Sequence, residues 1–498
     1  MENEENKVYV NLKKVPLESE RAEKREIRKH KFLIFMLAFL CLISGLFFGF
    51  VLSRRYSQSD DRQTAVSANV YSEIQTLIKK RWLYADDYED IDTELEDKAL
   101  YGMTEFEEDL FTSYMSKEEM DAFADSINRG YVGIGVEYSS KFSVPLVTKV
   151  FKDSPAEISG ILAGDFITSV DGVSTENMES EELRERVLGV KGTEVKIGIQ
   201  RGSEEMVLSV IRDEISSTVF AYAEDDYVVM EINSFGESTA DEIVRYLDPY
   251  KDDYHKIIID IRNNGGGYQT AVRDVCGLFM GNHQVYLRQK GVDEIEMVDY
   301  TNATVTYDNF DKIVILINND TASAAEVFAL DLKEEVDNVT LVGKTTYGKG
   351  VIQTNHALSN GGILKLTTYY WYSPKGTSIH NTGIEPDVEV DMPTIYYDYY
   401  VSMEDDEYYE YDSVSEVTRI SEVSLEYLGY AVDRKDGYFD KSMAEQLRKY
   451  KNDNNLGDDS ILDKDTYQAL LSDVNYQLNN NKEKDTQMMK AIEVLHEN

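Results

Sequence analysis

KIVILINNDTASAAEVFALDLKEE, Lys312 to Glu335, decides how the rest of the chain is read. After Lys312, five apolar residues rich in β-branched side chains follow, the pattern of a strand buried on both faces. A short polar turn follows, and then an Ala-rich run of good helix formers. Ser323 stands where strand gives way to helix. A serine there is either an ordinary N-cap or a nucleophile. No histidine lies near it in the sequence, so a nucleophilic Ser323 needs another base.

The same alternation extends on both sides. VVMEINSF, KIIIDIR and NVTLVGK read as buried strands, and STADEIVRYLDPY reads as a helix between them. Buried strands with intervening helices predict an α/β sheet covered on both faces. ILKLTTYYWYS alternates like a half-exposed strand.

Two glycine features flank the opening stretch. In IIIDIRNNGGGYQ, Ile257 to Gln269, a buried strand runs into Gly265, Gly266 and Gly267. Without Cβ atoms these residues can present bare N–H groups to an anion, so the turn is either a plain connection or half of an oxyanion hole. GKTTYGKGVIQT, Gly343 to Thr354, is not a phosphate loop, because Gly350 follows Lys349 where Ser or Thr is required. Lys349 is a candidate base. An ordinary lysine holds its proton up to about pH 10.4, so it serves only if burial keeps it neutral. Its neighbours Tyr347, Gly348, Gly350 and Val351 are small or largely apolar and permit that burial.

The whole chain has 498 residues and a formal charge of −42, which argues against a nucleic-acid partner. Two cysteines and six scattered histidines form no CxxC or HExxH pattern, so neither a metal nor another cofactor is expected. Phe32 to Leu52 is a run of 21 residues without a charge, long enough to cross a bilayer core of about 30 Å. Eight basic residues from Lys13 to Lys31 precede it, and only Arg54, Arg55 and Arg62 follow nearby. The positive-inside bias puts residues 1–31 in the cytoplasm and the remainder outside. A cleaved signal peptide is the alternative, but the run is longer than such regions and lacks a small-x-small site after it.

Residues 66–128 have helical periodicity, with Ser116 placed to cap KEEMDAF. Residues 129–214 switch to short strands with one helix, SEELRERVL, as in a small α+β module. Residues 391–412 are acidic, carry seven tyrosines and no Lys or Arg, and read as a linker, with a docked segment as the alternative. From Glu416 the pattern is helical again.

Resemblances give these regions names. Gly133-Ile134-Gly135-Val136 and SPAEISGILAGDFITSVDG, residues 154–172, resemble the carboxylate-binding loop and following segment of a PDZ domain. Leu428-Gly429-Tyr430, Asp436 to Asp440, Leu462-Asp463 and Thr466 resemble a peptidoglycan-binding module, although Gln446, Tyr450-Lys451 and Ser460 depart from its pattern. Asp260 to Gly267, Thr321 to Glu326, Gly343 to Gln353 and Ser373 to Asp387 resemble, in order and spacing, the four motifs of carboxyl-terminal processing peptidases. Gly265 replaces a proline of that family, and Thr321 and Ala325 replace serines beside Ser323.

The resemblance implies a serine endopeptidase with Ser323 as nucleophile, Lys349 as base and Gln353 positioning the lysine. It implies an oxyanion hole from the N–H of Ala324 and one of Gly266 or Gly267. Substrate C-termini would bind the PDZ loop, Gly133 to Val136, and family members can form homodimers. The expected fold is multidomain: a basic tail (1–31), a single transmembrane helix (32–52), a helical N-terminal region (66–128), an α+β PDZ domain (129–214), an α/β protease core (215–392), an acidic linker (393–415) and a small all-α peptidoglycan-binding-like domain (416–498). The expected function is cleavage of envelope or secreted proteins near their C-termini, in a Gram-positive-type envelope. A non-catalytic PDZ scaffold joining membrane and wall is the alternative.

Overall fold

The computed structural model describes residues 70–128, 131–140, 143–202, 204–215, 218–397, 401–404 and 406–497. The expected basic tail and transmembrane helix lie outside them. Among the described residues no helix is long and apolar enough to cross a membrane. The chain divides into two compact units, Met1–Met103 and Thr104–Asn498. In the first, residues 70–81 are helical and α1 (Ile91–Met103) has no buried residue.

The second unit begins with β1 (Ser113–Met115) and α2 (Lys117–Asn128). Ser116 caps α2 as expected. Its hydroxyl accepts from Glu119 N at 3.1 Å and Glu119 Oε2 accepts from Ser116 N at 2.8 Å, which makes a reciprocal capping box. The helical reading fails just before it, because residues 113–115 pair as an edge strand with Ile363, Leu364 and Lys365. Pairing with a distant strand overrides local periodicity there.

The PDZ region is a six-stranded sheet with the main order β2 (Val136–Ser139), β3 (Leu146–Val150), β4 (Phe166–Val170), β5 (Glu194–Arg201), β6 (Glu204–Ile211), covered by α3 (Ser180–Val187). Alternating Val195, Ile197 and Ile199 of β5 pack with Leu183 and Val187 of α3. Two inward residues of this module, Leu146 and Phe166, instead join the hydrophobic cluster of the C-terminal helices.

The α/β region holds a six-stranded sheet in the order β7 (Val219–Glu224), β8 (Tyr227–Ile232), β9 (Lys256–Asp260), β12 (Lys312–Ile317), β13 (Val339–Gly343), β16 (Val388–Glu389). Only the β7–β8 pairing is antiparallel. The connections include α4 (Thr239–Leu247), α5 (Gln269–Met280) and α6 (Ala324–Glu335). A second sheet contains β1, β10 (Val285–Lys290), β11 (Glu296–Tyr300), β14 (Val351–Ala357) and β15 (Ile363–Tyr372). In β12, Ile313, Ile315 and Ile317 face one core cluster while Val314 and Leu316 face another, the period-two alternation of a strand buried on both sides.

The first face is covered by α4, α5 and α6. The second is covered by α10 (Thr486–His496), whose Met488, Ala491, Val494 and Leu495 pack on Val229, Ile258, Val314, Leu316 and Val342. This helix falls within the expected C-terminal domain, but it covers the sheet of the α/β region. Arg262, just past β9, pins its start: the guanidinium donates to Asp485 at 2.8 and 2.9 Å as well as to Asp260. Asp485 also accepts from Met488 N, so one carboxylate caps the helix and docks it.

The remaining C-terminal helices are α7 (Glu416–Tyr427), α8 (Lys441–Asp453) and α9 (Lys464–Asn480). Ser415, Asp440 and Asp463 cap them in turn. The linker reading of residues 393–415 is corrected. Ile395 and Met403 are 1% and 5% exposed within the cluster of α7–α9, and Tyr408-Tyr409 pair with Leu462-Asp463. Acidity keeps the outward residues in water while the apolar ones dock.

Candidate active site

Ser323 immediately precedes α6 with φ 58° and ψ −120°, a conformation that non-glycine residues rarely hold. Ser323 and Glu326, three residues on, form a capping box at the start of α6. Part of what holds the turn is Glu326, fully buried one turn into the helix. Glu326 Oε2 accepts from Ser323 N at 2.8 Å and from Lys349 N at 2.9 Å. Its Oε1 accepts from the Thr346 hydroxyl at 2.6 Å and Gly348 N at 2.7 Å. A single carboxylate therefore ties the backbone of the candidate nucleophile to that of the candidate base. Burial raises its pKa while these four donors oppose the rise. Sequence reading quoted Glu326 within a motif without assigning it this role. The available signal was its place three residues after a serine at a helix start.

Lys349 lies between Gly348 and β14. Its C=O accepts from the Trp371 indole N–H at 2.8 Å, and its ammonium rests 4.6 Å from the centre of the Phe111 ring. Burial lowers its pKa to about 8, helped by the positive charge of Lys365 and opposed by Glu326 and Asp109. Ser323 and Lys349 line one cavity of about 480 Å³ with Gly265, Gly266, Gly267, Ala324 and Gln353. Among the described residues no hydrogen bond joins the Ser323 hydroxyl to the Lys349 ammonium.

The other candidates separate. Gln353 donates to the Thr367 hydroxyl at 3.2 Å, which donates in turn to Asp109, and it makes no hydrogen bond to Lys349 among the described residues. Gly266 lies against the nucleophile: with φ 103°, an added Cβ would come within 2.9 Å of Ser323 Cβ and Ala324 N. Its N–H, however, is taken by Asn264 Oδ1 at 2.8 Å. Among the described residues no acceptor takes the N–H of Gly267 or of Ala324. Of the two glycines weighed as anion donors, Gly267 is the one whose N–H is open.

Gly133, Ile134, Gly135 and Val136 stand apart from this cavity. Gly133 pairs with Asp213, Ile134 is buried in the PDZ core, and Val136 begins β2. Gly135 has φ 83°, and a Cβ there would come within 2.4 Å of Ser154 Cβ, so only glycine fits between the loop and the Ser154 helix cap.

Known proteins share this organisation. Residues 226–390 match the model for "Peptidase family S41", residues 122–200 the model for "PDZ domain", and residues 419–470 the model for "Putative peptidoglycan binding domain". The "Probable CtpA-like serine protease" of Staphylococcus haemolyticus (strain JCSC1435) is 31% identical over 374 residues, 75% of each chain. The "Carboxy-terminal processing protease CtpA" of Bacillus subtilis (strain 168) is 31% identical over 412 residues, 81% of this chain and 86% of that one. Among solved structures, a photosystem II D1 C-terminal processing protease aligns with a TM-score of 0.40 and 23% identity, over 64% of this chain and 86% of that one. On the family match and these identities, the chain belongs to peptidase family S41, as a serine-type carboxy-terminal processing protease with a PDZ domain.

Proposed function

We propose that the chain is an endopeptidase whose nucleophile is Ser323 and whose base is neutral Lys349. The observation that carries this is a serine of strained backbone conformation sharing a cavity with a lysine brought to about pKa 8. Ser323 Oγ attacks the scissile carbonyl as its proton passes to Lys349 Nζ. The N–H groups of Ala324 and Gly267 receive the developing oxyanion, aided by the N-terminal dipole of α6. Lys349 then protonates the leaving amine, and a water deprotonated by Lys349 releases the acyl group from Ser323. Glu326 supports the reaction by fixing both backbones, and Gln353 of β14 lines the same cavity as the lysine.

The wider reading rests on the sequence features and the family. Residues 32–52 anchor the protein, residues 1–31 stay in the cytoplasm, and the catalytic part works outside on envelope or secreted proteins of a Gram-positive-type cell. Gly133 to Val136 collect substrate C-termini, residues 416–498 contact peptidoglycan, and two copies associate as a dimer. The deciding experiment incubates the protein with an unstructured substrate. Cleavage should vanish in both Ser323→Ala and Lys349→Ala, and cleavage that persists in both removes the dyad. Protease accessibility on intact cells tests the orientation, a wall pull-down tests the C-terminal module, and sedimentation tests the dimer.

A further inference from the structure

The chain carries 93 acidic and 51 basic residues, a large excess of carboxylates. The catalytic cavity is an exception. Lys349 and Lys365 are the charged side chains among its lining residues, and no Asp or Glu joins them. Lys365 stands on β15, opposite Asn355 of β14, two residue pairs beyond the Gln353–Thr367 pair. Its ammonium lies 5.3 Å from the centre of the Phe123 ring. Among the described residues it has no ion pair or hydrogen bond. Its pKa is lowered, with burial as the cause and no neighbouring carboxylate to oppose it.

With Lys349 neutral, as the proposed mechanism requires, Lys365 is the remaining charge facing the cavity. The other walls carry no charge: Phe123, Ile127, Val272, Leu287, Ile352 and Trp371 contribute apolar surface, and Asn355, Gln353 and Gln269 contribute neutral polar groups. An unpaired cation in a cavity without a carboxylate fits a ligand that brings one negative group, because removing water strengthens the pairing. We infer that Lys365 receives a carboxylate of the substrate chain within the catalytic cleft, as a second anion site separate from the PDZ loop. Both an α-carboxylate at a chain end and an acidic side chain supply this group. The inference rests on the reading of Ser323 and Lys349 as the reacting pair, since it places the anion beside that pair.

One unstructured peptide, made with a free C-terminal carboxylate, with a carboxamide, and with a carboxamide following a terminal Asp, tests it. Wild type, Lys365→Gln and Lys365→Arg are compared as full chains by kcat/KM, each at a pH where its activity has levelled off. Wild type should favour the free acid over the plain amide by about tenfold or more. Lys365→Gln should lose that preference and Lys365→Arg should keep it. Rescue by the terminal Asp in wild type would show that a side-chain carboxylate also serves. No carboxylate dependence in wild type overturns the inference. So does a preference undiminished in Lys365→Gln, which would belong to the PDZ loop instead. If Lys365→Gln does not fold, Lys365→Arg decides, and its loss of the preference overturns the inference. Failure of wild type to cleave any form, or cleavage by Ser323→Ala, would instead remove the dyad reading.

Discussion

Lys349 must be neutral before it can accept the Ser323 proton, so activity should titrate with it. Burial and the charge of Lys365 bring its pKa to about 8. Near pH 7 roughly a tenth of the molecules then carry the neutral base, against roughly one in three thousand for an ordinary lysine, a gain of about 300-fold. Below about pH 7.5 kcat/KM should climb close to tenfold per pH step, and above about pH 8.5 it should level off. The assay is initial-rate cleavage of one peptide across that range, with substrate well below KM so that the free enzyme is reported. Lys365→Gln supplies the perturbation. Removing its positive charge should raise the Lys349 pKa and move the rising limb to higher pH. A profile flat from about pH 6.5 to about 9.5 would refute Lys349 as the base. A limb that stays put in Lys365→Gln would refute the electrostatic coupling.

Three further outcomes follow from the same contacts. Lys349→Met should be inactive yet more stable: the native lysine is neutral above about 8 while the unfolded one stays charged to about 10.5. The penalty is thus full below the native pKa and fades as pH rises through that window, so the gain in thermal or urea unfolding should be roughly 1–3 kcal/mol at neutral pH. Glu326→Gln should lower kcat by about tenfold or more, as a carboxamide cannot accept from all four donors, and should shift the rising limb to lower pH because the lost charge favoured Lys349 protonation. Asp485→Ala should lower stability by roughly 2–4 kcal/mol in urea unfolding, because it removes both an ion pair to buried Arg262 and the cap of α10.

The fold of the core was legible because β9 and β12 are short, apolar and β-branched, and helices of ordinary period separate them. The turn at Gly265 to Gly267 and the serine before α6 were legible as types of residue at strand ends. Less visible were contacts that no local pattern encodes. Glu326 looks like a routine capping partner until the loop at Thr346 to Lys349 folds over it. Lys365 sits in an unremarkable alternating strand, and only the sheet pairing brings it to the cavity. Gln353 and Gly266 carry the expected identities, but the Gln353 Nε2 donates to Thr367 and the Gly266 N–H donates to Asn264. The segment at 393–415 misled because acidity dominates its composition, while its docking depends on Ile395 and Met403.

The placement of α10 has a consequence for how the molecule is made. His496 of that helix bonds Asp226 at the edge of β8, 270 residues earlier in sequence. A strand laid down early therefore waits, with one oily face open, for a helix that is synthesised long after the PDZ domain and the catalytic motifs. Contacts of such long sequence separation slow folding. A ribosome-bound chain already carries Ser323 and Lys349, but it lacks the lid on the sheet that supports them. Intermediates of that kind are exposed to aggregation and to other proteases. The interval before the sheet closes is thus the period in which this protein most needs protection.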